Sequence, residues 1–308
     1  MNINELLKSF LQSRILRPKS IENYRAVCRH FTAFLVTDES LENIERDCLI
    51  QYREYVLGRA SPVTFNNYRR HLNALFSYAI DIGKLNENPW RRVRGAPTLQ
   101  AKPKMVNTED LLHGLDLFQK HAIKTWGDSG TNWAKFWTAL VHTLYFTGMR
   151  RRQIVELEWS DIDLEARSIT LRAESSKTRK EWMVPLPHQL YGELFALRQI
   201  TENFLGHVPE GHTRVFDPRP FTPCTGRRME NPLSVGRLSL FFRRLSDRAG
   251  IRMSSHRIRH TTATTLVNKG NNLKAAQIIL GHSDVRTTLG YVHPNLDDLR
   301  KVSDSLEL

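Results

Sequence analysis

Apolar residues recur along most of this chain with the spacing of helices, interrupted once by a strongly polar stretch and once by a short alternating pattern. Ile21, Tyr24, Cys28, Phe31 and Leu35 advance in steps of three and four, the stripe of an amphipathic helix opened by Pro18 and Ser20. Lys19, Arg25 and Arg29 largely escape that stripe. A second stripe runs through Phe65, Tyr68, Leu72, Leu75 and Ala79 to Gly83, with Ser61 placed as N-cap and Pro62 at the first helical position. Weaker patterns cover 3–15 and 43–57, so residues 1–90 read as a bundle of about four helices. Between Asn88 and Lys104 prolines, a glycine and basic residues replace the periodicity, the composition of a linker. The expected organisation is a helical domain at 1–95, a basic linker at 96–104 and a second domain at 105–308.

The second domain opens at Thr108, read as an N-cap, followed by Glu109 and Asp110 where a helix dipole favours acids. Further helices are expected near 132–146, 149–157, 188–203, 233–249, 256–269 and 272–280. Arg167–Arg172 and Trp182–Leu186 alternate or carry β-formers on either side of the polar loop AESSKTRKE, which predicts a hairpin. The fold class is therefore mostly α with a small β-sheet.

Charge narrows the partner. Across 308 residues, 45 basic against 32 acidic side chains give +13, the footprint of a protein that tracks a polyanion. The positives recur along the chain and do not gather on one amphipathic helix, which disfavours a membrane surface and favours nucleic acid. Lys19, Arg25, Arg69 and Arg70 on the bundle, and Arg91, Arg92 and Arg94 in the linker, are the candidates for contact with DNA; a solvated basic surface would read the same. The three cysteines, Cys28, Cys48 and Cys224, form no CxxC pair, so neither a disulfide framework nor a cysteine zinc site is expected. With no leader-like N-terminus and no apolar run approaching the ~18 residues of a spanning helix, a cytoplasmic protein is expected.

The chemistry gathers toward the C-terminus. The stretch HRIRHTTATTLVNKGNNLKAAQIILGHSDVRTTLGY, from His256 to Tyr291, sets imidazoles and guanidinium groups ahead of a tyrosine. A phenol with a pKa of about 10 is a poor nucleophile near neutrality, so such a neighbourhood suggests assisted attack on a phosphodiester. His256 and Arg259 lie about one turn apart on one helix face. Upstream stand TGMRRRQIVELEWSDID around Arg150 and SSKTRK around Lys177; His282 closes LGH, and Tyr291 follows nine residues later.

In that order and spacing these five elements resemble the tyrosine recombinase, or phage integrase, family. The catalytic domain of that family carries an arginine after a TG turn, a lysine in a β-hairpin, a His-x-x-Arg box, a GH box and a tyrosine. The resemblance covers 105–295 well and the N-terminal bundle, similar to a core-type DNA-binding domain, more loosely. It implies that Arg150 and Arg259 hold the nonbridging phosphate oxygens, for which planar guanidinium groups are suited. His256 would assist proton transfer from the tyrosine, and His282 would hydrogen-bond a phosphate oxygen. Lys177, with Lys180 three residues away, would protonate the 5′ leaving oxygen, and Tyr291 would form a 3′-phosphotyrosyl ester. His260 has no role in the motif and reads as packing. Where relatives commonly place an acid three residues after the first arginine, this chain has Gln153.

The ester conserves bond energy, so the resemblance implies strand exchange without ATP, metal or another cofactor. Consistently, neither a GxxxxGK[ST] loop nor an HExxH motif occurs. The expected protein is a site-specific recombinase whose two domains clasp duplex DNA in a C shape, working as a homotetramer on two sites. Its tail, NLDDLRKVSDSLEL, would dock on a neighbour or fold back in cis. The layout resembles Xer-type enzymes without a separate arm-binding domain. Two alternatives share the fold: a type IB topoisomerase and a DNA-binding regulator without catalysis.

Overall fold

The computed structural model describes residues 1–35, 40–98, 104–173, 180–223, 231–270, 272–292, 300 and 303–304. The chain divides into two compact units, Met1–Ala101 and Lys102–Leu308.

The first unit is a four-helix bundle of α1 (Ile3–Gln12), α2 (Pro18–Leu35), α3 (Arg46–Leu57) and α4 (Pro62–Asp81). Two of these helices start on side-chain caps. Asn2 and Glu5 form a reciprocal capping box at α1, and Ser61 accepts the Thr64 N–H ahead of Pro62 at α4, as the sequence predicts. Leu6 and Phe10 of α1, Phe31 of α2, Leu49 and Tyr52 of α3, and Phe65, Leu72 and Phe76 of α4 are fully buried in a common core.

The loss of periodicity at Asn88 does not mark the edge of this bundle. Pro89–Arg92 is a 3-10 turn capped by Asn88, which buries Trp90 completely against Phe31 and Tyr52 at ring separations of 6.0 and 6.2 Å. Val93 is also buried, and its carbonyl accepts a 2.6 Å bond from Arg69 Nε. Asn66 then clasps Ala96 through two 2.8 Å hydrogen bonds, one in each direction. An isolated tryptophan in a basic, proline-rich stretch has no periodic neighbours in sequence, so its burial is not visible there.

The second unit is built around α5 (Thr108–Thr147), a helix kinked at Gly127, where φ is 57° and ψ is −134°. This corrects two expectations. The N-cap is Asn107, whose side chain accepts the Glu109 N–H, and Thr108 is the first helical residue; the helices foreseen after 108 and near 132 meet directly at the kink. Helix α5 is the spine, packing against α7 (His188–Leu205), α8 (Val235–Ala249) and α9 (Ser255–Gly270). Trp137 stacks on Phe241 of α8 at 3.9 Å with rings 6° from parallel. The short helix α6 (Arg151–Glu156) follows α5, while α10 (Leu273–Leu280) and α11 (Val285–Leu289) follow α9.

The sheet is antiparallel in the order β1 (Ile162–Asp163), β2 (Ser168–Leu171), β3 (Trp182–Pro185). The hairpin of β2 and β3 was legible, with Ile169 opposite Val184 and Leu171 opposite Trp182. The two-residue β1 is too short to produce an alternating pattern. Charges lock the loop end of β2: Arg172 reaches Glu158 at 2.6 Å and Asp161 at 3.1 Å, and Arg214 reaches Glu158 at 3.2 Å. Both arginines also donate to the Glu156 carbonyl at the end of α6. No helix among the described residues is long and apolar enough to cross a membrane.

Removing a fully buried tryptophan side chain costs about 3–5 kcal/mol through lost transfer energy and the cavity left behind. Trp90→Ala is expected to destabilise the first unit by that amount in denaturant unfolding of the full chain, whereas a linker residue would leave the transition in place.

Candidate active site

Helix α5 ends at Gly148, in the left-handed region at φ 59°, whose N–H returns to the Leu144 carbonyl at 3.0 Å. The chain then extends through Arg150, which caps α6 and donates its backbone N–H to Gln153 Oε1 at 2.9 Å. The Arg150 side chain therefore leaves from a turn held at both ends. Its Nη1 is buried and has no hydrogen-bond partner among the described residues, as is true of Gln153 Nε2. A guanidinium nitrogen buried with an unspent donor is costly unless an anion arrives to take it.

Two threonines hold helix α9 in place. Thr261 Oγ1 donates to the Val106 carbonyl at 2.7 Å and accepts its N–H at 3.0 Å, and Thr262 Oγ1 donates to the Tyr145 carbonyl at 2.6 Å. These bonds pin α9 so that Arg259, 6% exposed, points into the unit. Its guanidinium donates to the Gly148 carbonyl, to the Leu280 carbonyl at 2.7 Å, and to His282 Nε2 at 3.1 Å. Burial, reinforced by the neighbouring Arg150, pushes its pKa down to about 10, which still leaves it cationic at neutrality.

Gly281 is the αL cap of α10, as the sequence suggests, at φ 61°. Closeness adds to conformation: a Cβ there would fall 2.3 Å from the indole of Trp182, which also donates Nε1–H to the Ile279 carbonyl at 3.1 Å. The first residue of β3 thus seats the turn that presents His282. An arginine has no lone pair to offer, so His282 Nε2 must be the acceptor of the Arg259 bond. Its Nδ1 then carries the proton and donates to Thr288 Oγ1 at 2.9 Å. Burial, with Arg259 and Arg150 nearby, pushes the His282 pKa down to about 4, consistent with a neutral ring.

Tyr291, just beyond α11, is buried at 8% exposure. Its ring lies parallel to that of His282 at 6.0 Å and tilted against that of His260 at 5.3 Å. Burial raises its pKa above the usual phenol value, and Arg259 and Arg150 oppose the rise. The resting side chain is a protonated phenol beside Arg259 and Arg150. His256, exposed at the mouth, bonds His260 through the two Nε2 atoms at 2.9 Å; burial and the charges of Arg259 and Arg151 lower its pKa.

Five of the six residues singled out in the sequence, Arg150, His256, Arg259, His282 and Tyr291, therefore converge. Lys177 lies in 174–179, outside the described residues. A cleft of about 910 Å³ opens beside Arg150, His256 and Arg259, lined also by Arg151, Arg243, Arg252 and Arg257, with Asp247 its one carboxylate among the described residues. That surplus of guanidinium groups suits a polyanion. Thr288, Trp182 and His260 also build the site. Their sequence signals are weak, because each acts through a neighbour distant in the chain or one turn away.

The DNA candidates of the first unit divide. Arg25, Arg70, Arg91 and Arg94 are exposed. Lys19 and Arg92 are exposed but paired with Glu22 at 2.6 Å and Glu87 at 2.8 Å, while Arg69 is half-buried on the Val93 carbonyl. Arg69 thus has a structural use within the bundle that its place beside Arg70 does not disclose.

Two outcomes are expected. Gly281→Ala combines left-handed strain of about 1–2 kcal/mol with the clash on Trp182, so it should unfold at clearly lower denaturant. Combined with Trp182→Ala, the loss should be smaller than the sum of the single losses, as measured in a double-mutant cycle. The second concerns pH. His282 has a folded pKa of about 4 against 6.5 ordinarily, so between those values the unfolded chain binds more protons. Its contribution is complete above pH 6.5 and lost as pH falls toward 4, so thermal stability should decline over that window, less steeply in His282→Asn.

Comparisons with known proteins agree with this geometry. The phage integrase family matches residues 129–297, and the phage integrase SAM-like domain matches residues 2–95. A Pseudomonas syringae protein named for tyrosine recombinase XerC is 29% identical over 309 residues, covering 98% of this chain. The chain spans 63% of that relative's length. A tyrosine recombinase of Thermosipho africanus is 27% identical over 293 residues, covering 89% of this chain and 88% of its own. Among solved structures, the Tn1549 transposon integrase in complex with a circular intermediate DNA superposes with a TM-score of 0.74, covering 99% of this chain and 100% of the other at 20% identity. That likeness is one of fold. With the catalytic model covering more than half of its length and a second model covering the N-terminal unit, this chain belongs to the phage integrase family.

Proposed function

We propose that the protein is a site-specific DNA recombinase that breaks and rejoins strands through Tyr291. The observation that carries this reading is the convergence, from segments more than 100 residues apart, of two arginines, two imidazoles of lowered pKa and one buried tyrosine beside a cationic cleft. The names of the relatives support it, since they are called tyrosine recombinases, and a neighbour of the same fold is an integrase in complex with DNA.

In this reading the scissile phosphate sits at Arg150 and Arg259. The unspent Nη1 of Arg150 takes one nonbridging oxygen, and the Arg259 guanidinium supplies charge from a fixed position. Tyr291 Oη attacks phosphorus, the P–O5′ bond breaks, and the 3′-phosphotyrosyl ester forms. The tyrosine proton passes to the hydrogen-bonded His256–His260 pair, whose rings lowered pKa values keep neutral and which therefore holds bare nitrogens to receive it. The leaving 5′ oxygen takes its proton from Lys177, the role that the family resemblance implies for it. Attack by a 5′ hydroxyl on the ester reverses these transfers and reseals a strand without an external energy source. Lys19, Arg25, Arg70, Arg91, Arg92 and Arg94 would hold flanking backbone, and a homotetramer on two duplexes would exchange strands pairwise.

A pool of nicked, randomised suicide duplexes should yield a covalent protein–DNA adduct whose sequencing defines the site. Tyr291→Phe should give none, and Arg150→Lys or Arg259→Lys should lower single-turnover cleavage by about 10²–10³-fold, the scale for losing a positioned oxyanion donor. Absence of a Tyr291-dependent adduct would leave a DNA-binding protein only, whereas robust relaxation of supercoiled DNA without a selected site would indicate a topoisomerase.

A further inference from the structure

His260 carries no role in the family motif, and its sequence position suggests packing alone. The structure places it between the two groups whose protons matter. On one side its ring lies 5.3 Å from that of Tyr291; on the other its Nε2 meets His256 Nε2 at 2.9 Å, with ring centres 4.2 Å apart.

A hydrogen bond between two imidazole nitrogens requires one to donate and the other to accept. His260 Nδ1 is buried and lacks a partner among the described residues. Were the proton on Nδ1, an N–H would be stranded without an acceptor. With the proton on Nε2, only a lone pair is stranded, the more tolerated of the two defects. Hydrogen-bond satisfaction therefore assigns His260 as the Nε2–H donor and His256 as the acceptor, which leaves the proton of neutral His256 on Nδ1.

We infer that His260 is a positioning residue that fixes His256 in the Nδ1–H tautomer, so that the one nitrogen His256 has left for DNA is a donor, while its own ring holds Tyr291 against His282. This deepens, and rests on, the recombinase reading. His256 lines the cleft, so its free N–H is available to a nonbridging phosphate oxygen. The charged and titratable neighbours of the pair are Arg259 on α9, Arg151 on α6 and Tyr291 beyond α11, with His282 on the other face of the tyrosine. None of these supplies a carboxylate that could set the His256 tautomer instead.

The test uses the full chain labelled with ¹⁵N-histidine. In the wild type the His256 imidazole should show Nδ1 protonated and Nε2 bare. His260→Phe keeps a ring against Tyr291 but cannot donate, and should move the His256 proton toward Nε2. On the selected suicide duplex it should cleave at least 10-fold more slowly than the wild type with little change in melting temperature. Accepting a bond stabilises neutral His256, so its loss should raise the His256 pKa and shift the acidic limb of the pH–rate profile to higher pH. His260→Gln, which can donate again, should recover part of the rate and the wild-type tautomer. An Nε2–H tautomer in the wild type, or a His260→Phe variant with both tautomer and pH profile unmoved, would overturn the assignment. Should His260→Phe fail to fold, the same spectra on His260→Gln and the wild type decide the tautomer. Failure of the wild type to form any adduct would count against the recombinase reading and leave the tautomer result standing.

Discussion

The buried guanidinium of Arg259 is the interaction on which the second unit's chemistry depends. One side chain holds the Gly148 carbonyl at the end of α5, the Leu280 carbonyl at the end of α10, and His282 Nε2. Helix C-termini leave carbonyls without intrahelical partners and concentrate negative potential there. Two such ends, brought together, form a receptor for a cation even before substrate arrives. The same contacts solve the problem of burying charge, since the guanidinium is paired with dipoles that cannot be titrated away. The cost remains visible in its pKa, lowered to about 10, at which the group still stays cationic at neutrality.

From that anchor the remaining geometry follows. The Gly148 turn that accepts from Arg259 is also the turn that launches Arg150. The Leu280–Gly281 turn presents His282, and its close approach to Trp182 ties it to the start of β3. The Glu158 cluster holds the same end of that hairpin, at Arg172 beside the Leu171–Trp182 pair, against the end of α6. The two strand ends that flank the lysine loop are consequently each anchored, β2 to the segment that ends α6 and β3 to the turn that ends α10, although the loop itself lies outside the described residues. Positional precision of this kind is what the proposed strand transfer would draw on, since alignment and electrostatics supply much of the rate of such reactions.

Two cations and several neutral imidazoles share a small volume with one buried phenol. Burial works against charge on the tyrosine, and the arginines work for it; the outcome is a phenol still protonated at rest. Burial, with the charge of Arg259 nearby, lowers the pKa of both His260 and His282, which leaves neutral rings at ordinary pH. Gln153 fits this balance in a particular way. Its amide oxygen accepts the Arg150 backbone N–H and so supports the turn, while its buried Nε2 lacks a partner among the described residues and, without a carboxylate, the cluster keeps more positive charge.

Much of this was legible in the chain. Amphipathic stripes and caps such as Ser61 are local, and helices with such signals appear where their spacing puts them. The order of Arg150, the His256–Arg259 box, His282 and Tyr291 identified the family because each residue carries its own chemistry wherever the fold sets it. What the tertiary structure decided depends on contact between distant segments. Trp90 belongs to a core and not a linker because Phe31 and Tyr52 receive it. Arg69 is spent on a carbonyl 24 residues away, and His260 becomes a bridge only once Tyr291 lies against it. Periodicity and motif spacing report what a residue can do within its own turn; burial, tautomer and pKa are set by which atoms the rest of the fold brings within about 3 Å.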